Sequence, residues 1–150
     1  MEWKIEKGVA DDAPVIAQFQ LDMAMESEGT SLDMTTVNKG VLAGLQDPSK
    51  GTYYLVKTPA GDIAGSLFLT KEWSDWNNCA YWWIQSVFVK PEYRRQGAFT
   101  ALYEEVRRLA RAEGSTYLRL YVDRENQRAQ KCYSRQGMAE CHYLMYEETL

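Results

Sequence analysis

The sequence predicts an α/β fold with a mixed, mostly antiparallel sheet of six to seven strands flanked by about four helices. Short runs of β-branched and aromatic residues alternate with stretches whose apolar residues recur at helical spacing. Along the chain these segments give the order β-α-α-β-β-β-α-β-α-β. At 150 residues, with no linker-like tract, we expect a single domain over residues 1–150.

The first predicted elements are a strand and two helices. Residues 2–7 alternate apolar and charged side chains, which is typical of a strand. Pro14 suits the first turn of helix one, which we expect to end near Glu26, before an exposed loop over residues 26–31. A second helix is expected to end at Pro48, because proline disfavours a helical residue before it.

The later strands are recognised by their composition and by the turns between them. They are predicted over residues 52–57, 63–70, 81–89, 117–122 and 139–146. A third helix follows the central strand 81–89, and a short fourth helix is expected between Asn126 and about Gln136.

The turn between the central strand and helix three has the features of an anion site. Pro91 ends the strand, and Arg94, Arg95 and Gly97 precede an apolar helical face that begins at Phe99. The first N–H groups of a helix have no intrahelical partner, and a glycine lets a ligand approach the backbone. This pattern fits a phosphate or pyrophosphate site. The alternative is an ordinary turn with solvated arginines.

A second group of residues shares one face of the predicted fourth helix. Asn126, Ala129 and Tyr133 are spaced by three and four residues, just beyond a strand end, where open sheets bind ligands. The small side chain at 129 leaves room for an extended ligand, and Tyr133 places a phenol at its far end. The alternative is a helix cap, an alanine and a core tyrosine.

The two motifs together resemble those of the GNAT superfamily of acetyl-CoA-dependent N-acetyltransferases. The segment from Val87 to Ala98 is similar to the family's pyrophosphate motif, [Arg/Gln]-x-x-Gly-x-[Gly/Ala], preceded by its V-x-V strand. The pattern Asn126-x-x-Ala129-x-x-x-Tyr133 is similar to the second motif. The order of elements agrees over nearly the whole chain. Phe99 departs from the pattern, because it stands where the family usually has glycine or alanine.

The resemblance implies a role for each matching residue. The backbone of Val87 and Val89 would pair with the pantetheine arm, Asn126 would bond to it, and Tyr133 would be the general acid beside the sulfur. Acetyl-CoA is therefore the implied cosubstrate, with no metal. The residues implied in binding it are Val87, Phe88, Val89, Arg94, Arg95, Gln96, Gly97, Ala98, Phe99, Thr100, Asn126, Ala129 and Tyr133.

The general base and the acceptor are left open by the sequence. The central strand reads Trp82-Trp83-Ile84-Gln85-Ser86, without the carboxylate that many relatives have there. Candidate bases elsewhere are Glu26, Glu28, Glu72 and Asp75. Aromatic and acidic residues suit a cationic amine, by cation–π attraction and charge pairing. The candidate acceptor-binding residues are Glu26, Glu28, Trp73, Asp75, Trp76, Trp83 and Gln85.

Composition and charge narrow the function class. The net charge of -4 gives no support to nucleic-acid binding, and no long apolar run predicts a membrane helix. Three cysteines without metal-ligand spacing, and no signal peptide, fit reduced thiols and a cytoplasmic protein. We expect acetyl transfer to a small-molecule primary amine. The alternatives are a non-catalytic CoA-binding regulator and a protein or peptide N-acetyltransferase. The resemblance also allows a homodimer.

Overall fold

The computed structural model describes residues 1–150 as one five-stranded sheet with helices on both faces. The strands are β1 (Lys4–Lys7), β2 (Thr52–Lys57), β3 (Ile63–Ser74), β4 (Cys79–Val89) and β5 (Leu118–Arg119). The helices are α1 (Ala13–Glu28), α2 (Met34–Gln46), α3 (Ala98–Ala112) and α4 (Gln127–Arg135). Short 3₁₀ turns at Ala10–Asp12 and Pro91–Tyr93 precede α1 and α3.

The sheet follows chain order, β1-β2-β3-β4-β5. The first three pairings are antiparallel, and β4 pairs with β5 in parallel. A mixed, mostly antiparallel sheet with four helices is therefore confirmed. The predicted count of six to seven strands is wrong, because the sheet has five.

Of the six predicted strand ranges, one forms no strand and another is much shorter than expected. The strand expected over 117–122 is reduced to Leu118–Arg119, and the tail strand expected over 139–146 does not form. Residues 139–150 make no hydrogen bond to the rest of the chain. A strand needs a neighbour of matching length to satisfy its ladder groups, and β5 offers only two residues. Alternating side chains alone therefore did not produce a strand here.

The two faces of the sheet pack against different helices. The α3 face meets α3 through a buried cluster that includes Leu67, Ile84, Leu102 and Val106. The α1/α2 face meets the other two helices through a smaller cluster that includes Ile16 and Leu55. Apolar burial on both faces fixes the register of the central strands.

The end of α1 and the start of α4 set the positions of several candidate residues. Helix α1 continues to Glu28 and ends at Gly29, which has a φ of 63°. The prediction that Glu26 and Glu28 lie in a loop is therefore wrong; both lie on the last turn of a helix. The predicted cap of α4 is confirmed, since the Asn126 side chain accepts a bond from the Ala129 N–H at 3.1 Å. None of the helices combines the length and apolar character that a membrane span requires.

A bulge in β4 shapes the end of the central strand. Phe68 on β3 lies opposite Gln85, but Ser66 lies opposite Phe88, so β4 has one extra residue. Ser86 takes up that residue with a φ of 53°, an uncommon conformation for a serine. Beyond the bulge the side chains change faces. Phe88 packs on Phe19 of α1, whereas Val89 packs toward α3.

The pairing of β4 with β5 stops just before this bulge. Trp82 lies opposite Leu118 and Trp83 opposite Arg119, and no later pair forms. Strand β4 nevertheless continues to Val89. Its edge from residue 84 to residue 89 therefore has no strand beside it, and we call the space along this unpaired edge the opening.

We predict that Gly65 keeps β3 close to the end of β4. A Cβ at this position would lie 2.4 Å from the Phe88 carbonyl oxygen and 3.0 Å from Val89 Cα, and neither is a flexible side chain. Gly65→Ala should lower the free energy of unfolding by about 1–3 kcal/mol in urea denaturation. The control is Gly40→Ala in α2, where a Cβ meets nothing within 4 Å and helix propensity favours alanine. Equal stability of the two variants would contradict the close contact.

Candidate active site

Six consecutive backbone amides at the start of α3 have no acceptor within the chain. They belong to Arg95, Gln96, Gly97, Ala98, Phe99 and Thr100. The first bond of the helix is the one from the Ala101 N–H to the Gly97 carbonyl, at 3.0 Å. Unpaired N–H groups at a helix start, together with the helix dipole, favour a bound anion.

The loop before α3 is held in an unusual conformation. Arg95 has a φ of 63° and Gly97 a φ of 85°. Left-handed residues alternating with ordinary ones turn successive N–H groups toward one point, which is the geometry of an anion-binding nest. The Trp3 indole donates to the Gln96 carbonyl at 2.9 Å, and the side-chain Nε2 of Gln96 donates to the Glu92 carbonyl at 2.9 Å. These two bonds fix the loop without using the free amides.

The open edge of β4 lies next to this loop. The Lys90 N–H donates to the Ala64 carbonyl on β3, so the backbone groups of Val89 face the opposite side, toward the opening. Alternation places those of Val87 on the same side. The Val89 carbonyl accepts a bond from Arg94 Nε at 2.8 Å. A ligand in the opening could add to this edge as an extra strand does.

Glu26 connects α1 to both of these regions. Its two carboxylate oxygens lie 2.7 and 2.8 Å from the guanidinium nitrogens of Arg94. One of them also lies 2.6 Å from Nη2 of Arg128 in α4. The hydrogen bond from Arg94 is the largest cause of a lowered pKa of the Glu26 carboxyl, and the bond from Arg128 adds to it, against the opposing effect of burial. A carboxylate held by two guanidinium groups stays ionised and is a poor proton acceptor.

Tyr133 lies in α4 with its ring against α3. The Phe99 ring packs edge-on to it with centroids 5.6 Å apart, and Phe99 also contacts Tyr103 at 6.0 Å. Burial is the main reason that the pKa of Tyr133 rises to about 12. The phenol is therefore neutral near pH 7 and available as a donor. The unusual Phe99 is half-buried, and its ring contacts those of Tyr133 and Tyr103.

Helix α4 is attached to α3 at its far end. The Gln136 side chain donates to Thr100 Oγ1 at 2.7 Å, and Arg107 donates to the Gln136 carbonyl at 2.7 Å. At the near end Asn126 uses its side-chain oxygen as a helix cap, which leaves its NH₂ group free. Ala129 is half-buried beside it. The two predicted motifs therefore lie on adjoining helices.

A patch of polar and aromatic side chains lies on the part of the α1/α2 face that the helices leave uncovered. The Trp83 indole donates to Glu72 at 2.8 Å, and Arg119 donates to the same oxygen at 3.3 Å. The Gln85 amide donates to Thr70 at 2.6 Å. We call these five residues the acceptor face. It adjoins the β4–β5 opening from the side opposite α3.

The other predicted acceptor residues lie elsewhere. Trp73 is 66% exposed and, one residue after Glu72 on β3, faces away from Trp83. Asp75 and Trp76 lie in the β3–β4 turn, where Trp76 is 88% exposed. Glu28 is exposed and makes no ion pair. The structure therefore brings Trp83 and Gln85 together and leaves these four apart from them.

Sequence reasoning missed Arg119 and Arg128. Arg128 lies inside the second motif, at a position that the motif leaves unspecified, and its partner Glu26 is 102 residues away. Arg119 alternates with apolar residues in a predicted strand, which indicated only that its side chain faces away from the core. Its position beside Trp83 could have been found only by pairing the two strands in register, because paired residues lie on one face of a sheet.

Two further observations limit where chemistry occurs. A cavity of about 470 Å³ lies between α1 and the end of β4, lined in part by Phe19, Phe88 and Pro91. It includes neither Tyr133 nor the free amides, so we assign no part of the site to it. No cluster of His, Cys, Asp and Glu side chains has the arrangement of a metal site.

We predict that Glu26 stabilises the fold in a pH-dependent manner. Because the folded-state pKa of Glu26 lies below its ordinary value of 4.5, its contribution is complete above that value and is lost as the pH falls through the folded pKa. Glu26→Gln should lower the unfolding free energy by about 0.5–1 kcal/mol at pH 7, since the pair is partly solvated. The difference should shrink toward pH 3. Glu28→Gln is the control, and a constant difference over this range would contradict the ion-pair account.

The chain is similar in sequence and in structure to acetyltransferases. The family model described as the acetyltransferase (GNAT) family matches residues 19–138. A crystal structure of a possible acetyltransferase from Clostridium difficile 630 is 39% identical, with a TM-score of 0.92, over 100% of this chain and 99% of that chain. No curated protein matches the sequence.

Two less similar structures share the fold. A ribosomal-protein-alanine N-acetyltransferase from Brucella melitensis biovar Abortus 2308 is 16% identical, with a TM-score of 0.79, over 99% of this chain and 100% of that chain. An aminoglycoside acetyltransferase from an uncultured soil metagenomic sample is 16% identical, with a TM-score of 0.73, over 100% and 99%. Since the family model spans most of the sequence and includes both predicted motifs, the chain belongs to the acetyltransferase (GNAT) family.

Proposed function

We propose that this protein transfers an acetyl group from acetyl-CoA to the primary amine of a small-molecule acceptor. The main supporting observation is the run of six free amides at the start of α3, which follows the unpaired end of β4, with the Tyr133 ring packed on Phe99 of the same helix. A CoA thioester needs an anion cradle, a slot for its arm and a donor at its sulfur. The described residues offer all three.

The residues around the turn fit a diphosphate. The amides of residues 95–100 would donate hydrogen bonds to its oxygens, and the exposed Arg95 side chain is free to add charge. Gly97 has both the left-handed backbone and the missing Cβ that close approach requires. Acetyl-CoA would supply the acetyl group as an activated thioester.

The open edge of β4 fits the pantetheine arm. The backbone groups of Val87 and Val89 face the opening, and the free NH₂ group of Asn126 lies at the start of the helix on its other side. The ion pairs of Glu26 with Arg94 and Arg128 join the end of β4 to α4. In this proposal Glu26 positions the two sides of the slot and is not the base.

Tyr133 would stabilise the leaving sulfur. Its raised pKa keeps the phenol protonated, so it can donate a hydrogen bond to the developing thiolate. A phenol pKa of about 12 lies well above a thiol reference value of about 8.5, so complete proton transfer is unfavourable. We therefore assign Tyr133 the role of a hydrogen-bond donor, with the proton remaining mainly on its Oη.

Glu72 is the candidate base that the acceptor face supports best. Of the four candidates, Glu26 is occupied by two arginines, while Glu28 and Asp75 lie apart from Trp83 and Gln85. Glu72 is joined to Trp83 by a hydrogen bond at 2.8 Å and is 45% exposed. It can attract the acceptor ammonium and receive its proton, directly or through water.

One observation favours a different function. Phe99 replaces a small residue of the family pattern and its ring contacts Tyr133. If that ring blocks the place of the thioester, the chain would be a CoA-binding regulator without turnover. A protein acceptor would need an open groove, and the bulky exposed side chains of Trp73 and Trp76 argue against one.

Release of free thiol from acetyl-CoA distinguishes these functions. We expect thiol release that depends on an added small amine, and binding of CoA in calorimetry. CoA binding without thiol release from any amine would favour the regulator. Equal rates with peptides and with free amines or amino acids would argue against a shaped acceptor pocket.

We predict that Tyr133→Phe lowers kcat by about 100-fold with little change in the Kd for acetyl-CoA, because only the transition state needs the hydroxyl donor. Tyr103→Phe is the matched control, since Tyr103 also contacts Phe99. Thiol-release assays measure kcat, and calorimetry measures the Kd for acetyl-CoA. Unchanged turnover in Tyr133→Phe would remove this residue from the mechanism.

A further inference from the structure

Arg119 is a charged side chain on the acceptor face to which the mechanism gives no role. Its side chain is only 23% exposed. The guanidinium carbon lies over the rings of Tyr81 at 4.6 Å, Tyr117 at 5.2 Å and Tyr143 at 5.6 Å. Aromatic faces attract and orient a guanidinium without using its N–H donors.

Most donors of this guanidinium have no acceptor in the chain. Its only hydrogen bond is from Nη1 to Glu72 at 3.3 Å, which is long for a charge-assisted bond. Nε and Nη2 therefore remain without a protein partner. An arginine has a planar fork of donors that matches a carboxylate. The aromatic frame holds that fork in place while leaving it free to bind.

The position of Arg119 relates it to the reaction. It lies directly opposite Trp83 in the last pair of β4 and β5 before the opening. The Trp83 indole and Arg119 meet at one oxygen of Glu72. A negative and a positive group thus lie side by side on the acceptor face, next to the opening into which the thioester would extend.

We propose that Arg119 binds a carboxylate of the acceptor, so that the acceptor class is an amino acid or a similar small molecule with both an amine and a carboxylate. Glu72 attracts the ammonium group and Arg119 the carboxylate. The aromatic side chain of Trp83 lies between the two strands that hold them. This inference rests on the proposed acetyl transfer and adds to it the charge of the acceptor.

The test compares matched acceptors. Several α-amino acids are each paired with the amine that lacks the carboxylate, and kcat/KM is measured for each by thiol release from acetyl-CoA. Wild type should prefer the amino acid by about 10- to 100-fold, the range expected for one charge-assisted bidentate contact. In Arg119→Gln that preference should disappear, because kcat/KM should fall by a larger factor with the amino acid than with the plain amine.

Two further variants separate binding from structure. Arg111→Gln removes the same charge from an exposed position without an ion pair and should retain the wild-type preference. Arg119→Lys retains the charge without the fork and should recover part of it. Equal kcat/KM for both members of each pair in wild type, or an equal loss for both in Arg119→Gln, would overturn this inference alone. No thiol release with any amine would overturn the proposed function as well.

Discussion

The site depends on one interruption in the sheet, the end of pairing between β4 and β5 after Trp83 and Arg119. A bulge bends the strand that contains it, and the extra residue at Ser86 lies shortly beyond Trp83, the last residue of β4 that pairs with β5. Had the two strands continued together to Val89, their backbone groups would have satisfied each other. The open edge instead leaves room for a ligand between α3 and α4.

The interruption also explains why the two halves of the site lie on opposite faces. The free amides and Tyr133 adjoin α3, whereas Glu72, Trp83 and Arg119 lie on the uncovered part of the α1/α2 face. In the proposed function, cofactor and acceptor would therefore approach from different sides and meet in the opening. Glu26 holds the two sides together through ion pairs that join three elements distant in sequence.

Sequence reasoning succeeded where the signal is local and failed where it is tertiary. The turn that contains Gly97, the Asn126 cap and the helical spacing of the two motifs depend on neighbouring residues, so they could be predicted. The ion pairs of Glu26 and the environment of Arg119 join residues far apart in the chain. No periodicity indicates such contacts.

The errors have the same origin. Alternating residues predicted a tail strand over 139–146, but a strand also needs a partner, and β5 is too short to provide one. Helix α1 was expected to stop near Glu26 because Ser27 and Gly29 favour loops, yet the chain stays helical up to the glycine that ends it. The unusual Phe99 was recognised from the motif, while its contact with Tyr133 required the fold.

A crystal structure with bound CoA would show whether the free amides of α3 and the unpaired edge of β4 form one binding site. We expect the diphosphate oxygens to accept hydrogen bonds from the amides of residues 95–100 and the pantetheine arm to lie along the free edge of β4. Its sulfur should then lie within reach of the Tyr133 hydroxyl. A diphosphate bound at another surface, or a Phe99 ring lying across the opening in the complex, would contradict it.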